Sequence, residues 1–210
     1  MVLTDAVLLK GRDPVAVCRS AVRGGATMVQ LRWKDAPPRD LIALARALVT
    51  GLAVPVLVND RVDVALAAGA AGAHLGQGDV PLDAVRPHVP TGFLLGVSVD
   101  SPAEAERTRE WPADYWSVGP CYPTANKEDA GVPIGPAGFA AIAGLAPSGV
   151  PVIAIGGITA ANAGEIARAG AIGVAVIGAV LGATAPESAA RALRSAFPSP
   201  AGSPPSARHT

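Results

Sequence analysis

Short apolar runs rich in β-forming residues alternate along the chain with Ala-rich stretches whose apolar residues recur every three or four positions. The runs Thr27–Leu31, Val54–Val58, Gly72–Leu75, Phe93–Ser98, Tyr115–Val118, Val150–Ile155 and Gly173–Ile177 read as strands. Between them, Pro14–Arg23, Pro38–Thr50, Arg61–Ala68, Leu82–His88, Pro102–Arg109, Pro136–Leu145, Ala160–Ala169 and Pro186–Phe197 read as helices. A helix between successive strands lets the next strand run in the same direction, so the alternation predicts parallel βαβ units. Counting Met1–Thr4 as a first strand gives eight units, which predicts an α/β fold, a single (β/α)8 TIM barrel over residues 1–197. That first strand is short against the ~5–6 residues usual for one. From Pro198 to Thr210 the chain is rich in Pro, Ser and Gly with no apolar stripe, and nothing there offsets the entropy of ordering. Residues 198–210 are therefore expected to form a disordered tail.

Composition agrees with this layout, since half the residues are apolar and only 4% aromatic, as suits helices laid closely on apolar strands. The formal charge is zero and no Lys/Arg run occurs, which leaves no clustered positive field for a nucleic-acid backbone. No apolar run approaches the ~20 residues that span a bilayer. The N-terminus also lacks the basic, apolar and small-residue succession of a secretory signal, so a cytoplasmic location is expected. Cys18 and Cys121 are too few and too far apart for a disulfide framework or a metal knuckle, and both read as inert thiols.

In a parallel barrel the loops after the strands' C-terminal ends form the active face, so polar residues ending the apolar runs are the candidates. Gln30, Arg32 and Lys34 sit two apart, and an extended backbone sends all three to one side while Val29, Leu31 and Trp33 point away. Such a cluster fits an anionic ligand or, alternatively, a salt bridge to a core carboxylate. Asn59-Asp60 ends the third strand and Asp79 follows the fourth. Two carboxylates from adjacent strands suit a shared magnesium ion; the alternative is that each caps the helix that follows it. Ser98 offers a hydroxyl at the end of the fifth strand, and the long loop Gly119–Lys127 carries Thr124, Asn126 and Lys127. Gly157 follows the seventh strand, and Ile177 and Gly178 end the eighth, where backbone N–H groups at helix starts bind phosphate in many barrels. No Ser/His/Asp or Cys/His arrangement stands out. His74, inside an apolar strand, reads as a hydrogen-bonded core histidine without a role, and Cys121 as a small filler.

Taken in order, Gln-Leu-Arg-Trp-Lys, Val-Asn-Asp-Arg-Val-Asp, His-Leu-Gly-Gln-Gly-Asp, Gly-Val-Ser, Val-Gly-Pro-Cys-Tyr-Pro-Thr-Ala-Asn-Lys and Ile-Gly-Gly-Ile resemble the thiamine-phosphate synthase family over nearly the whole chain except the tail. The resemblance implies a transferase that joins a pyrimidine pyrophosphate to a thiazole phosphate, releasing pyrophosphate with magnesium as cofactor. It also implies that Gln30, Arg32, Lys34, Asn59 and Lys127 hold the pyrimidine pyrophosphate, with Arg32, Lys34 and Lys127 acting in catalysis. Asp60 and Asp79 would hold magnesium, and Ser98 would face the aminopyrimidine. Thr124, Asn126, Gly157, Ile177 and Gly178 match positions that receive the thiazole phosphate. The sequence departs from the family pattern at Trp33, Asn126 and Gly178. A related thiazole tautomerase looks to a histidine at the start of the loop after the sixth strand, where this chain has Gly119-Pro120. A non-enzymatic sensor of phosphate ligands is a third reading of the same barrel.

The tail yields the first prediction. Truncation after Phe197 removes no apolar stripe, so melting temperature and turnover should both stay essentially unchanged. A clear drop in either, by calorimetry or by product assay, would show that the tail docks.

Overall fold

The computed structural model describes residues 1–124 and 131–197. Eight strands, β1 (Val2–Leu3), β2 (Val29–Leu31), β3 (Val56–Asn59), β4 (Gly72–Leu75), β5 (Leu94–Val99), β6 (Tyr115–Val118), β7 (Val152–Ile155) and β8 (Val174–Ala175), lie in sequence order. Every neighbouring pair is parallel. The ring closes through a parallel bridge between Val2 and Val176, with Leu3 N–H donating to Val176 O at 2.9 Å and Val176 N–H to Met1 O at 3.2 Å. The abbreviated first strand is therefore real, and two residues suffice because both edges of β1 are paired.

Among the described residues ten α-helices surround the ring: α1 (Ala6–Leu9), α2 (Pro14–Arg23), α3 (Pro38–Gly51), α4 (Val62–Ala68), α5 (Leu82–Val85), α6 (Pro102–Thr108), α7 (Gly135–Ala143), α8 (Ala163–Arg168), α9 (Gly178–Leu181) and α10 (Pro186–Arg194). Two of these, α1 and α9, were not foreseen. Each has four residues, too short for a periodic apolar signal. The segment expected as one helix over Leu82–His88 is α5 followed by a 3₁₀ turn at Arg86–His88, because Pro87 supplies no N–H to continue the α ladder. The strands are also shorter at their N-terminal ends than the apolar runs suggest, with Val54 and Val150 in the preceding loops. Helix starts follow local chemistry: the Asp13 carboxylate accepts from Val15 and Ala16 N–H ahead of Pro14, and Ser101 Oγ accepts from Glu104 N–H.

The core is built from the helix stripes against the outward faces of the strands, with Leu48, Val64, Leu75, Trp116, Phe139 and Ile166 wholly or almost wholly buried. Inside the ring the register sets up one polar row: Asn59 lies beside His74, His74 beside Gly96, and Gly96 beside Tyr115. Gly96 is the gap in that row. A Cβ there would stand 2.1 Å from Tyr115 Cζ and 2.3 Å from its hydroxyl, so the tyrosine ring occupies the space a side chain would take. Gly96→Ala should therefore destabilise the fold by overpacking, on the order of 1–3 kcal/mol. Chemical denaturation would show it as a lower midpoint at unchanged slope; an unaltered midpoint would mean that the ring moves aside freely.

Candidate active site

The C-terminal ends of the strands open into a cavity of about 760 Å³. Gln30, Arg32 and Lys34 all line it, as their alternation predicts, while Trp33 packs against the core on the other side. Gln30 sits deepest, 2% exposed, in the middle of the buried strand β2. Arg32 and Lys34 lie just past the strand, where the cavity meets solvent.

Arg32 is held from two directions by the segment after β1, to which sequence reasoning assigned nothing. The Thr4 hydroxyl donates to Arg32 O and accepts from Arg32 N–H, both at 3.0 Å, in a site where Thr4 is fully buried. Arg32 Nη1 pairs with Asp5 Oδ2 at 3.2 Å, the two side chains being only 11% and 16% exposed. Sheltered to that degree, the pair is less screened by salt than an ordinary surface ion pair. The salt bridge anticipated as an alternative thus exists, yet the guanidinium still faces the cavity and has further donors to offer. Asp5 Oδ1 meanwhile accepts from Val7 and Leu8 N–H, fixing the carboxylate by capping α1.

Asp60 and Asp79 meet at the cavity wall. Neither caps its following helix: the N-cap of α4 is Arg61 and that of α5 is Pro81, each without a side-chain cap hydrogen bond. Asp60 stands at the centre of a three-residue turn closed by Arg61 N–H donating to Asn59 O at 2.8 Å, with φ of +63°. That conformation is strained for a non-glycine residue and is held by Asp60 N–H donating to His74 O at 2.8 Å. Asp79 folds back so that its Oδ2 accepts from Gly76 N–H at 2.7 Å. Desolvation in the cavity wall, then the charge of Asp79 and a hydrogen bond shared with it, push the Asp60 carboxyl up to about 6; the charge of Arg32 and a hydrogen bond with Asn59 act in the opposite direction. Two neighbouring carboxyls on one cavity wall suit a hard divalent cation, whose charge would offset their repulsion.

Ser98 lines the cavity beside His74, whose Nε2 lies 3.0 Å from Ser98 Oγ and whose Nδ1 lies 2.8 Å from the Tyr115 hydroxyl. Gln77 Nε2 donates to Ser98 O at 2.8 Å and to Thr108 Oγ1 at 3.1 Å, which fixes the Ser98 backbone. His74 was read only as a hydrogen-bonded core residue; its bonds are as expected, but it is also part of the cavity lining. Its place on an apolar strand concealed this, and the signal was the strand-end register with Gly96.

On the opposite wall, Thr124, Gly157, Ile177 and Gly178 reach the same cavity, while Asn126 and Lys127 lie outside the described residues. Gly156 and Gly157 have φ of +94° and +62°. A Cβ on Gly156 would lie 2.5 Å from Pro120 Cα, and one on Gly157 2.5 Å from Pro123 O. The glycine pair therefore serves a close approach between two loops as well as exposing backbone. That approach is pinned by Cys121 N–H donating to Ile155 O at 2.8 Å and Tyr122 N–H to Gly156 O at 3.0 Å. Asn162 closes the glycine turn, donating to Gly157 O at 3.1 Å and accepting from Thr159 N–H at 2.8 Å. Burial pushes the Cys121 thiol up to about 11 and the Cys18 thiol to about 12, so both are the unreactive fillers expected. Among the described residues no helix is long and apolar enough to cross a membrane.

The family model for thiamine monophosphate synthase matches residues 1–180. The thiamine-phosphate synthase of Roseiflexus castenholzii is 48% identical over 195 residues, covering 91% of this chain and 85% of that protein. The thiamine-phosphate synthase of Methanoculleus marisnigri is 46% identical over 196 residues, 92% of each chain. Among solved structures, thiamine phosphate pyrophosphorylase from Pyrococcus furiosus superposes with a TM-score of 0.83 at 38% identity, covering 93% of both chains. The chain belongs to the thiamine monophosphate synthase family.

The carboxylate pair gives a prediction with a sign. The folded-state value of Asp60, near 6 against an ordinary 3.8, means that folding favours its neutral form. The ionised form therefore destabilises the metal-free fold, an effect that grows as pH rises between those two values and is complete above the higher one. Asp60→Asn should raise the melting temperature of metal-free protein at pH 8 by on the order of 1–2 °C, a figure discounted for solvent exposure. The gain should shrink as pH falls from about 6 and vanish below about 4, where both forms are neutral. A gain independent of pH would trace instead to the easier backbone of asparagine at positive φ.

Proposed function

We propose that the protein condenses 4-amino-2-methyl-5-pyrimidinylmethyl pyrophosphate with a thiazole phosphate to give thiamine phosphate and pyrophosphate. The observation that carries this reading is the meeting, in one cavity, of fixed cations with a close carboxylate pair on one wall and a glycine turn on the other. Arg32 and Lys34, with Lys127 from the loop after β6, would hold the pyrophosphate. Asp60 and Asp79 would hold magnesium. Among the described residues no group of three or more metal-binding side chains converges, so the rest of the ion's shell would come from water and substrate oxygens, as is usual for magnesium. When bound there, the ion supplies positive charge to the pyrophosphate oxygens.

In this mechanism the bond between the pyrimidine methylene carbon and the pyrophosphate oxygen breaks, and its electron pair leaves with the oxygen. The thiazole nitrogen then donates its lone pair to the methylene carbon. The protein's part is to fix charge where it develops. Arg32 is already oriented by Thr4 and Asp5, so little reorganisation is needed when the leaving group gains charge. The second phosphate would sit against Thr124, Asn126, Gly157, Ile177 and Gly178, with the glycine turn and the start of α9 offering N–H groups. No covalent nucleophile is needed, which fits two thiols whose burial keeps them protonated.

Incubation with both phosphorylated substrates, with and without magnesium, tests the reading directly. Thiamine phosphate and one equivalent of pyrophosphate should appear only with the metal. Isomerised thiazole phosphate alone would favour the tautomerase, although Gly119-Pro120 occupies the place of its histidine; binding without any product would favour a sensor. Asp79→Ala should abolish turnover while retaining the far-ultraviolet dichroism of the fold. Unchanged magnesium dependence in that variant would remove Asp79 from the metal site.

A further inference from the structure

Helix α1 follows β1 and α9 follows β8, so closure of the ring puts the two side by side across its seam. Each has only four residues. A helix leaves its last carbonyls without an intrahelical donor, and a single turn does not repay the cost of its own nucleation, so neither could hold its shape unaided. Buried Leu9 anchors one to the core, and buried Val180 and Leu181 anchor the other. Their carbonyl ends are served by one half-buried side chain, Arg12, which stands outside the cavity.

Lys10 and Gly11, with φ of +50° and +79°, turn the chain back after α1 and return Arg12 toward it. There Arg12 Nε donates to Leu9 O at 3.0 Å and Nη2 to Leu8 O at 3.2 Å. Across the seam, Nη1 donates to Ala183 O at 3.0 Å and Nη2 also donates to Leu181 O. Among the described residues no backbone N–H donates to Leu8 O, Leu181 O or Ala183 O, so it is the guanidinium that satisfies them. A cation is favourable against the carbonyl ends of helices, and the planar fork of a guanidinium can span two of them where the compact ammonium of lysine could not.

The opposite ends of the same two turns belong to the active site. Asp5 caps α1 and pairs with Arg32, while Ile177 and Gly178 open α9 and line the cavity. We propose that Arg12 is a positioning residue for both substrates at once: by tying the carbonyl ends of α1 and α9 together, it sets Arg32, through Asp5, against the pyrophosphate, and Ile177 with Gly178 against the thiazole phosphate. The proposal rests on the function inferred above and adds to it a residue that touches neither substrate. Because Leu9, Val180 and Leu181 keep their places in the core, loss of the fork should let the two turns shift without unfolding the barrel. A shift on the order of 1 Å in the groups that hold a substrate can cost about a hundredfold.

Titration calorimetry on the full-length chain tests this with two probes, inorganic pyrophosphate with magnesium and the thiazole phosphate. In Arg12→Lys both dissociation constants should rise, each by about tenfold or more, at unchanged binding stoichiometry. In Asp5→Asn, which keeps an oxygen for the cap of α1 but no charge for Arg32, only the pyrophosphate constant should rise. In Arg12→Ala, millimolar guanidinium chloride should restore both constants together, and sodium chloride at the same ionic strength should not. A merely structural arginine would instead lower the melting temperature and the stoichiometry while leaving both constants as they were, which would overturn the proposal. Weakening of one probe alone in Arg12→Lys would overturn it too. So would failure of that variant to fold, since Arg12 would then be a requirement of the barrel and not of its site. If the unaltered protein bound neither probe, the function inferred above would fall first, and this proposal with it.

Discussion

Closure of the strand ring is the constraint on which everything else here depends. Because every strand is parallel and the last pairs with the first, all eight strand C-termini end at one rim, and the residues just past them face one space. The seam of the ring is its shortest part. Val2 and Leu3 pair with β2 on one side and reach Val176 on the other, so the ring is completed by a handful of backbone hydrogen bonds. The next two residues, Thr4 and Asp5, turn over the rim and grip Arg32.

At that rim, and in the interior below it, the fold holds arrangements that folding alone would not choose. Asp60 has a strained turn and a carboxyl neighbour of the same charge, and Gln30 holds a buried oxygen with no partner. Each is unfavourable in isolation, and the carboxyl pair is the one that a cation, as proposed above, would relieve. Unfavourable local choices inside an otherwise consistent fold mark the places where stability has yielded to binding. The surrounding structure is rigid enough to hold them, with the Asp60 turn tied to His74 O and the Ser98 backbone tied to Gln77.

Much of this was legible in the sequence. Alternating apolar runs and helical stretches gave the barrel, because both signals are local and repeat around the ring. The i, i+2 spacing of Gln30, Arg32 and Lys34 placed all three on the cavity, as strand geometry requires. What stayed hidden depended on register between distant segments. Asp5 lies 27 residues before Arg32, and nothing in Leu-Thr-Asp-Ala announces an ion pair. The ambiguity over whether Asp60 and Asp79 cap helices could be resolved only by seeing that the N-caps of α4 and α5 fall one and two residues later, at Arg61 and Pro81. His74 was placed correctly as a hydrogen-bonded residue of the barrel interior, but its membership of the cavity depended on a glycine in the neighbouring strand. The short helices α1 and α9 fell below the length at which periodicity can speak.

The seam has a consequence for how the protein fails. Stability in a folded chain is not uniform, and short segments held by few contacts open before the whole unfolds. Here the segment that zips the ring shut also carries the two side chains that aim Arg32. Fraying of the first five residues would therefore release Arg32 from both of its holds while the remaining strands stay folded. If Arg32 acts as proposed, catalytic competence is a gauge of the seam, lost on heating or in mild denaturant ahead of the cooperative transition of the barrel.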